Sequence, residues 1–402
     1  MENRDTRPYW KQLPPEEGLL LLYSRTQIPP ALLEQAREMG RHIDWGRFLQ
    51  LAFDQGVAAL VYPNIKMHLA STMPEKMFTQ LRQYVFANTQ SNLVLLKELF
   101  IITQLLEENE IEFATFKGLM IMQMVYHDLS LRRCGDIDIL VREQDFPRTK
   151  ALFLSLGFQR TLTDRIERQS MQAGLRHEGR KLEVDLHWGI PPRILNIKSD
   201  ILIDSAAPLS IGGKMVSSFS LEDMFIISCV NAIKEYWHQR LYPYSDIHEF
   251  LQGDIKLDWD SILSRAEELG CLRPLKVALL TTSRLYDISL PTAIKDELTP
   301  DISANLVKQE LLRQLIPVNT DNSNAIYVTT NRKLYYFDSN DAYFVALMDN
   351  ALKRFSQPFL KLIKPNERDK SIVALPKMFS FLYYLIRPFR VIAMKLIKLT
   401  RK

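Results

Sequence analysis

The sequence predicts an α+β (α/β) fold, a small mixed β-sheet core flanked by an N-terminal helical region and a C-terminal helical domain. Three observations predict it. Helical periodicity fills the first hundred or so residues; short strand-like runs and turns crowd the next hundred; helical spacing then returns from Leu221. Within the middle third, Gly135-Asp136-Ile137-Asp138-Ile139-Leu140-Val141 sets two carboxylates two residues apart in an apolar run. On an extended strand such residues share a face, so Asp136 and Asp138 project together while Ile137 and Ile139 pack behind them. Two like charges so close need a compensating cation or proton, and magnesium favours carboxylate oxygens. Two solvated aspartates on an edge strand is the plain alternative.

The 402 residues suggest two or three domains, and a net charge of +4 carries no strong duplex nucleic-acid signal. The three cysteines, Cys134, Cys229 and Cys271, are widely separated, which argues against a zinc knuckle or a disulfide framework and fits a reducing compartment. Met1-Glu2-Asn3-Arg4-Asp5 is polar and leads into no signal-peptide core. No run reaches the roughly 20 apolar residues of a spanning helix, so a cytoplasmic protein is expected.

Residues 1–110 read as helices. Pro14-Pro15-Glu16-Glu17 opens one and Pro30 another, and Asp44-Trp45 caps a third running toward Val61. A long helix spans Pro74 to Glu110, with Phe78, Leu81, Val85, Leu93, Leu96, Phe100 and Leu105 as its buried stripe. Residues 111–220 form the α/β core. Ile111–Phe116 is a strand ended by Lys117-Gly118, Leu119–Tyr126 a short helix, and the Asp136/Asp138 strand follows. Asp145–Leu156 is helical and Gly157 stops it. Arg165–Arg176 and Lys181–Trp188 flank a hairpin turn at His177-Glu178-Gly179-Arg180. In the second arm Leu182, Val184, Leu186 and Trp188 alternate with Glu183, Asp185 and His187, so Asp185 faces away from the packed side. If the two strands are neighbours, three carboxylates converge. Gly212-Gly213-Lys214 invites comparison with a phosphate loop, but the strand-like residues on both sides favour a type I′ hairpin.

Residues 221–316 are helical again, over Leu221–Trp237, Tyr244–Leu251, Asp258–Glu268, Arg273–Tyr286 and Ile302–Leu315. Residues 317–402 comprise a polar loop and a basic amphipathic extension. From Lys370 to Lys402 there are eight basic residues and no acidic one, interleaved with aromatic and aliphatic side chains. Such a segment fits peripheral contact with an anionic membrane surface, or a helix docked on its own core.

The ordered set Phe116-Lys117-Gly118, Leu131-Arg132 with Gly135-Asp136-Ile137-Asp138, Leu156-Gly157-Phe158 and Val184-Asp185-Leu186-His187-Trp188 resembles the uncharacterised bacterial nucleotidyltransferase family of the DNA polymerase β superfamily. The resemblance covers about residues 90 to 260. It implies transfer of a nucleotidyl group from a nucleoside triphosphate such as ATP to a hydroxyl or amine, with pyrophosphate leaving. It assigns Asp136, Asp138 and Asp185 to Mg2+ (or Mn2+) and to catalysis, with Asp185 helping to activate the acceptor. Lys117, Gly118, Gly135, Arg132 and Arg133 become the nucleotide-binding candidates. The acceptor, whether a small molecule, a protein side chain or an RNA end, is left open.

Departures from the pattern are specific. The serine expected after the glycine is replaced by Leu119-Met120, and the histidines expected before Trp237 are replaced by Asn231 and Lys234. These departures motivate the alternative of a non-catalytic nucleotide-binding or membrane-surface accessory protein of a biosynthetic pathway. Cys134 reads as a small packing residue, His187 as a residue that orients Asp185, touches the substrate or has a structural role, and Asp246 as a cleft residue or a helix cap.

Overall fold

The structure, a computed structural model, describes residues 8–191, 197, 199–234, 240–290, 294, 312, 347–349 and 382–384. Contacts divide the chain into two units, Met1–Asp321 and Asn322–Lys402, and nearly all described residues belong to the first. The expected helix at Ile302–Leu315, the loop at 317–339 and the basic extension at 370–402 lie almost wholly outside the described residues.

The N-terminal region is helical as its sequence predicts. Prolines at the first turn start α1 (Pro15–Tyr23) and α2 (Pro30–Gly40), where a missing N–H costs nothing. Asp44 caps α3 (Trp45–Asp54), its Oδ1 accepting from the Gly46 and Arg47 N–H groups at 2.8 and 3.1 Å. The helix expected to run on toward Val61 is two helices. Gly56 adopts φ +72°, a left-handed turn that breaks the ladder, and α4 (Ala58–His68) starts afresh.

The long helix α5 spans Glu75–Glu108, 34 residues. Its buried face differs from the expected stripe. Leu81, Val85 and Leu96 are buried, but Leu93 is 53% exposed, and the middle of the buried face is polar, with Asn88 and Asn92. The reason is local. These two amides serve the backbone of a neighbouring loop, as described below.

The core is one mixed seven-stranded sheet made of β1 (Phe113–Phe116), β2 (Ile137–Val141), β3 (Gln159–Arg160), β4 (Gln172–His177), β5 (Leu182–His187), β6 (Ala207–Ile211) and β7 (Lys214–Ser218). Their spatial order is β3-β4-β5-β2-β1-β7-β6. β2 lies between β1, to which it is antiparallel, and β5, to which it is parallel. It is therefore an interior strand, and the edge-strand alternative for Asp136 and Asp138 does not hold. Ile137, Ile139, Leu140 and Val141 are all buried, as expected of a strand covered on both faces.

Connecting helices follow the turn signals. A four-residue α6 (Gly118–Ile121) runs into a π-helical turn (Met122–Tyr126), and α7 (Phe146–Ser155) ends before Gly157 at φ +90°. Residues expected as the start of the hairpin's first arm are instead α8 (Asp164–Ser170), capped by Thr163, and the strand begins only at Gln172. The short α9 (Asp200–Asp204) precedes the β6–β7 hairpin. Gly212 and Gly213 have φ +55° and +79°, the pair of positive values a type I′ turn needs. The helices α10 (Leu221–Lys234), α11 (Tyr242–Gln252), α12 (Trp259–Leu269) and α13 (Leu272–Tyr286) close the first unit. Among the described residues no helix is long and apolar enough to cross a membrane.

Candidate functional site

Strand register assembles the carboxylates. β2 and β5 run parallel with Asp138 directly beside Asp185 and Leu140 beside His187, so Asp138, Asp185 and His187 share one face. On the other side of β2, Phe116 of β1 lies opposite Asp138, and its ring meets His187 edge-on with centroids 5.0 Å apart. Asp138, Asp185 and His187 each offer one ligand atom, and these atoms lie within 4.8 Å of one another. Asp136 stands one residue ahead of β2, half-buried.

Asp138 is the anchored member. Lys117 Nζ donates to its Oδ1 at 2.5 Å, and His187 Nε2 lies 3.1 Å from the same oxygen. Both partners crowd one oxygen, so Oδ2 stays out of their grip. Burial works against the Asp138 charge, yet Lys117 and the His187 hydrogen bond hold its pKa well below the usual carboxylate range. For Lys117 burial likewise opposes the charge, but Asp138, with Asp136 and Asp185 behind it, raises the ammonium's pKa. His187 is fully buried, and burial lowers its pKa despite Asp138, so the neutral imidazole donates from Nε2 and leaves Nδ1 unpartnered. The expectation that His187 orients Asp185 is corrected. Its hydrogen bond is to Asp138, while Gln172 Nε2 donates to Asp185 Oδ2 at 2.9 Å.

Asp136 is the member under stress. Repulsion from Asp138, then burial, then Asp185 push its pKa up to about 7, and Lys117 and Arg132 offset only part of this. Asp185 is raised as well, chiefly by burial. Three carboxylates thus gather around Lys117, with Lys234 also acting on Asp185, and the donor set is oxygen-rich with a neutral imidazole beside it. Those are the ligand types that suit a divalent cation.

The Lys117-Gly118 turn is strained. Lys117 has φ +56° and Gly118 φ +27°, and a Cβ on Gly118 would lie 2.6 Å from Cys134 Sγ. Cys134 is buried against that glycine, and its thiol donates to the Asp136 carbonyl at 3.1 Å. Gly135 is different, since a Cβ there would meet no atom within 4 Å. No packing demands a glycine at that position, and its surroundings are open.

Arg132 and Arg133 part ways. Arg133 is exposed. Arg132 is buried, and its Nε donates to Asp246 Oδ1 and Oδ2 at 3.1 and 2.9 Å, with the guanidinium carbon 5.1 Å from the Tyr242 ring centre. Tyr126 OH donates to Asp246 Oδ1 at 2.8 Å. Asp246 lies inside α11 and caps no helix, contrary to the simpler expectation for it. Burial opposes the Arg132 charge, but Asp246 outweighs it and raises the guanidinium's pKa.

Sequence reasoning missed Gln172, Tyr126, Asn88 and Asn92. Only the two asparagines left a signal, which is a pair of amides four residues apart within an apolar helical stripe.

Among solved structures, an antigenic nucleotidyltransferase-like protein from Paracoccidioides brasiliensis is 16% identical, the alignment covering 55% of this chain and 92% of that one, with a TM-score of 0.33. A tRNA nucleotidyltransferase in complex with a primer tRNA and an incoming ATP analogue is 15% identical over 75% of this chain and 98% of its own, with a TM-score of 0.21. No curated protein matches the chain. The family assignment stands without these remote likenesses. Residues 41–287, which carry α3 to α5, the seven strands of the sheet and the helices through α13, match the model of the uncharacterised nucleotidyltransferases, and the chain belongs to that family.

Proposed function

We propose that the chain transfers a nucleotidyl group from a nucleoside triphosphate to a hydroxyl or amine acceptor, as a divalent-metal-dependent member of the DNA polymerase β-like nucleotidyltransferases. The observation that carries the reading is the parallel register setting Asp138 beside Asp185, with Asp136 two residues ahead and Lys117 on the same carboxylate. In this reading the core at 111–220 performs the chemistry, and the helices at 1–110 and 221–316 frame the nucleotide and the acceptor.

Asp136, Asp138 and Asp185 would hold Mg2+ or Mn2+, with His187 behind them. When bound, such an ion neutralises phosphate charge and aligns the attacking and leaving oxygens. The chain's own groups divide the remaining work. Lys117 and His187 fix Oδ1 of Asp138 and leave Oδ2 outside their two contacts. Lys117 has two further N–H donors for the triphosphate oxygens. The open space at Gly135 lets phosphates approach the backbone, and exposed Arg133 is available to pair with them. Asp185, raised above an ordinary carboxylate, accepts the acceptor's proton as the acceptor atom bonds to the α-phosphorus and the bond to pyrophosphate breaks.

The test is incubation of the purified protein with each α-labelled triphosphate, Mg2+ or Mn2+ and a cell extract. Label should appear on one acceptor class and vanish with Asp138→Asn. Transfer that persists unchanged in the Asp136→Asn/Asp138→Asn double variant would sink the reading.

A further inference from the structure

Asp138 and Asp185 are held in place by strand pairing on both sides of β2, whereas Asp136 precedes the strand and has no ladder partner. Its position depends on the loop from His127 to Gly135. That loop is gripped from two helices. On α5, fully buried Asn92 donates from Nδ2 to the carbonyls of Leu129 and Arg132 at 2.6 and 2.8 Å and accepts at Oδ1 from Cys134 N–H at 3.3 Å. Asn88 adds a bond to the Arg132 carbonyl at 3.2 Å. On α11, Asp246 takes the Arg132 side chain through both carboxylate oxygens, and Tyr126 steadies Asp246.

We propose that Asn92, Arg132 and Asp246 are positioning residues that set the Asp136 carboxylate against Asp138, so that ion affinity at the site is governed from α5 and α11. The physical argument is that buried amides, with the Arg132 Nη1 bond to the Arg133 carbonyl, satisfy the loop's backbone while the buried Arg132–Asp246 ion pair anchors it, which fixes it in one geometry. Supports of this kind orient the groups that touch an ion. Arg132 thereby takes a role behind the site and not on the phosphates. The inference rests on the reading that the three carboxylates bind a divalent ion.

The experiment is a double-mutant cycle read by Mn2+ binding, followed through the electron paramagnetic resonance signal of free Mn2+, on the full chain. Asn92→Ala should weaken Mn2+ binding about tenfold or more. In an Asp136→Asn background the same change should alter it less than about twofold, since the residue through which it acts is gone. Arg132→Lys, which keeps the buried charge but loses the separate Nε and Nη1 donors to Asp246 and the Arg133 carbonyl, should show the same pattern at about three- to tenfold, and it decides the matter if Asn92→Ala does not fold. Affinities within twofold of the original protein, or equal losses in both backgrounds, would overturn the inference. Failure of the ion reading looks different. In that case the original protein binds no Mn2+, or Asp138→Asn leaves binding unchanged, and both conclusions fall.

Discussion

Two buried acidic centres stand close together in this fold and are built on opposite terms. Around Asp246 both carboxylate oxygens are met, by one guanidinium nitrogen shared between them and a tyrosine hydroxyl, with an aromatic face under the arginine, and burial is the main reason its pKa is still raised. Around Asp138 three carboxylates gather on Lys117 and a neutral histidine, Lys234 and Arg132 act on Asp185 and Asp136 only from beyond hydrogen-bond contact, and the surplus shows as an Asp136 pushed up to about 7. A saturated centre holds structure together, whereas an under-compensated one keeps room for positive charge from outside.

Removing one partner should expose the difference. Asp138→Asn is expected to lower nucleotidyl transfer by about three orders of magnitude or more, because it strips the anchored ligand from the site. Asp246→Asn should instead act on stability, by about 3–5 kcal/mol in denaturant unfolding, since it leaves the buried Arg132 charge without its counter-ion. If Asp246→Asn left stability unchanged, the centre could not be called saturated.

Asp136→Asn should move stability the other way. The Asp136 pKa is about 7 in the folded chain against an ordinary 3.8, so the folded state holds its proton more tightly. That contribution is present below the unfolded value and is lost as pH rises through about 7, where the folded chain must carry the repelled charge. At pH 8 without divalent ions the variant should therefore be more stable than the original by about 1–3 kcal/mol, the full shift being discounted for solvent screening. At pH 3.5, below the unfolded value, the two should nearly coincide. Melting curves at both pH values decide it, and adding Mn2+ at pH 8 should favour the original protein.

Much of this was legible in the sequence because it follows from period and punctuation. Alternation placed Asp185 on the carboxylate face and Gly212-Gly213 marked a hairpin, whereas the interior position of the Asp138 strand follows only from its pairing with β1 and β5. What stayed illegible depends on contacts between distant segments. Nothing local says that Asn92 is buried beneath a loop 40 residues away, or that Arg132 turns to Asp246 across 114 positions. Gly56 splitting one expected helix into two is a smaller case, a single residue whose left-handed φ overrides the surrounding periodicity.

The two glycines beside the carboxylates extend the contrast to its finest grain. Gly118→Ala would place a methyl against Cys134 Sγ at 2.6 Å on a backbone with φ +27° and should cost about 1–3 kcal/mol. Gly135→Ala puts the same methyl where no protein atom lies within 4 Å, so its effect on stability should stay within about 0.5 kcal/mol. The latter variant is the more telling of the two. Phosphates that approach the backbone at Gly135 would meet the new methyl, so triphosphate affinity should fall several-fold in a protein whose melting curve barely moves. Unchanged affinity would place the phosphates elsewhere, on the Lys117 side of the carboxylates, and Lys117→Ala would then carry the larger loss.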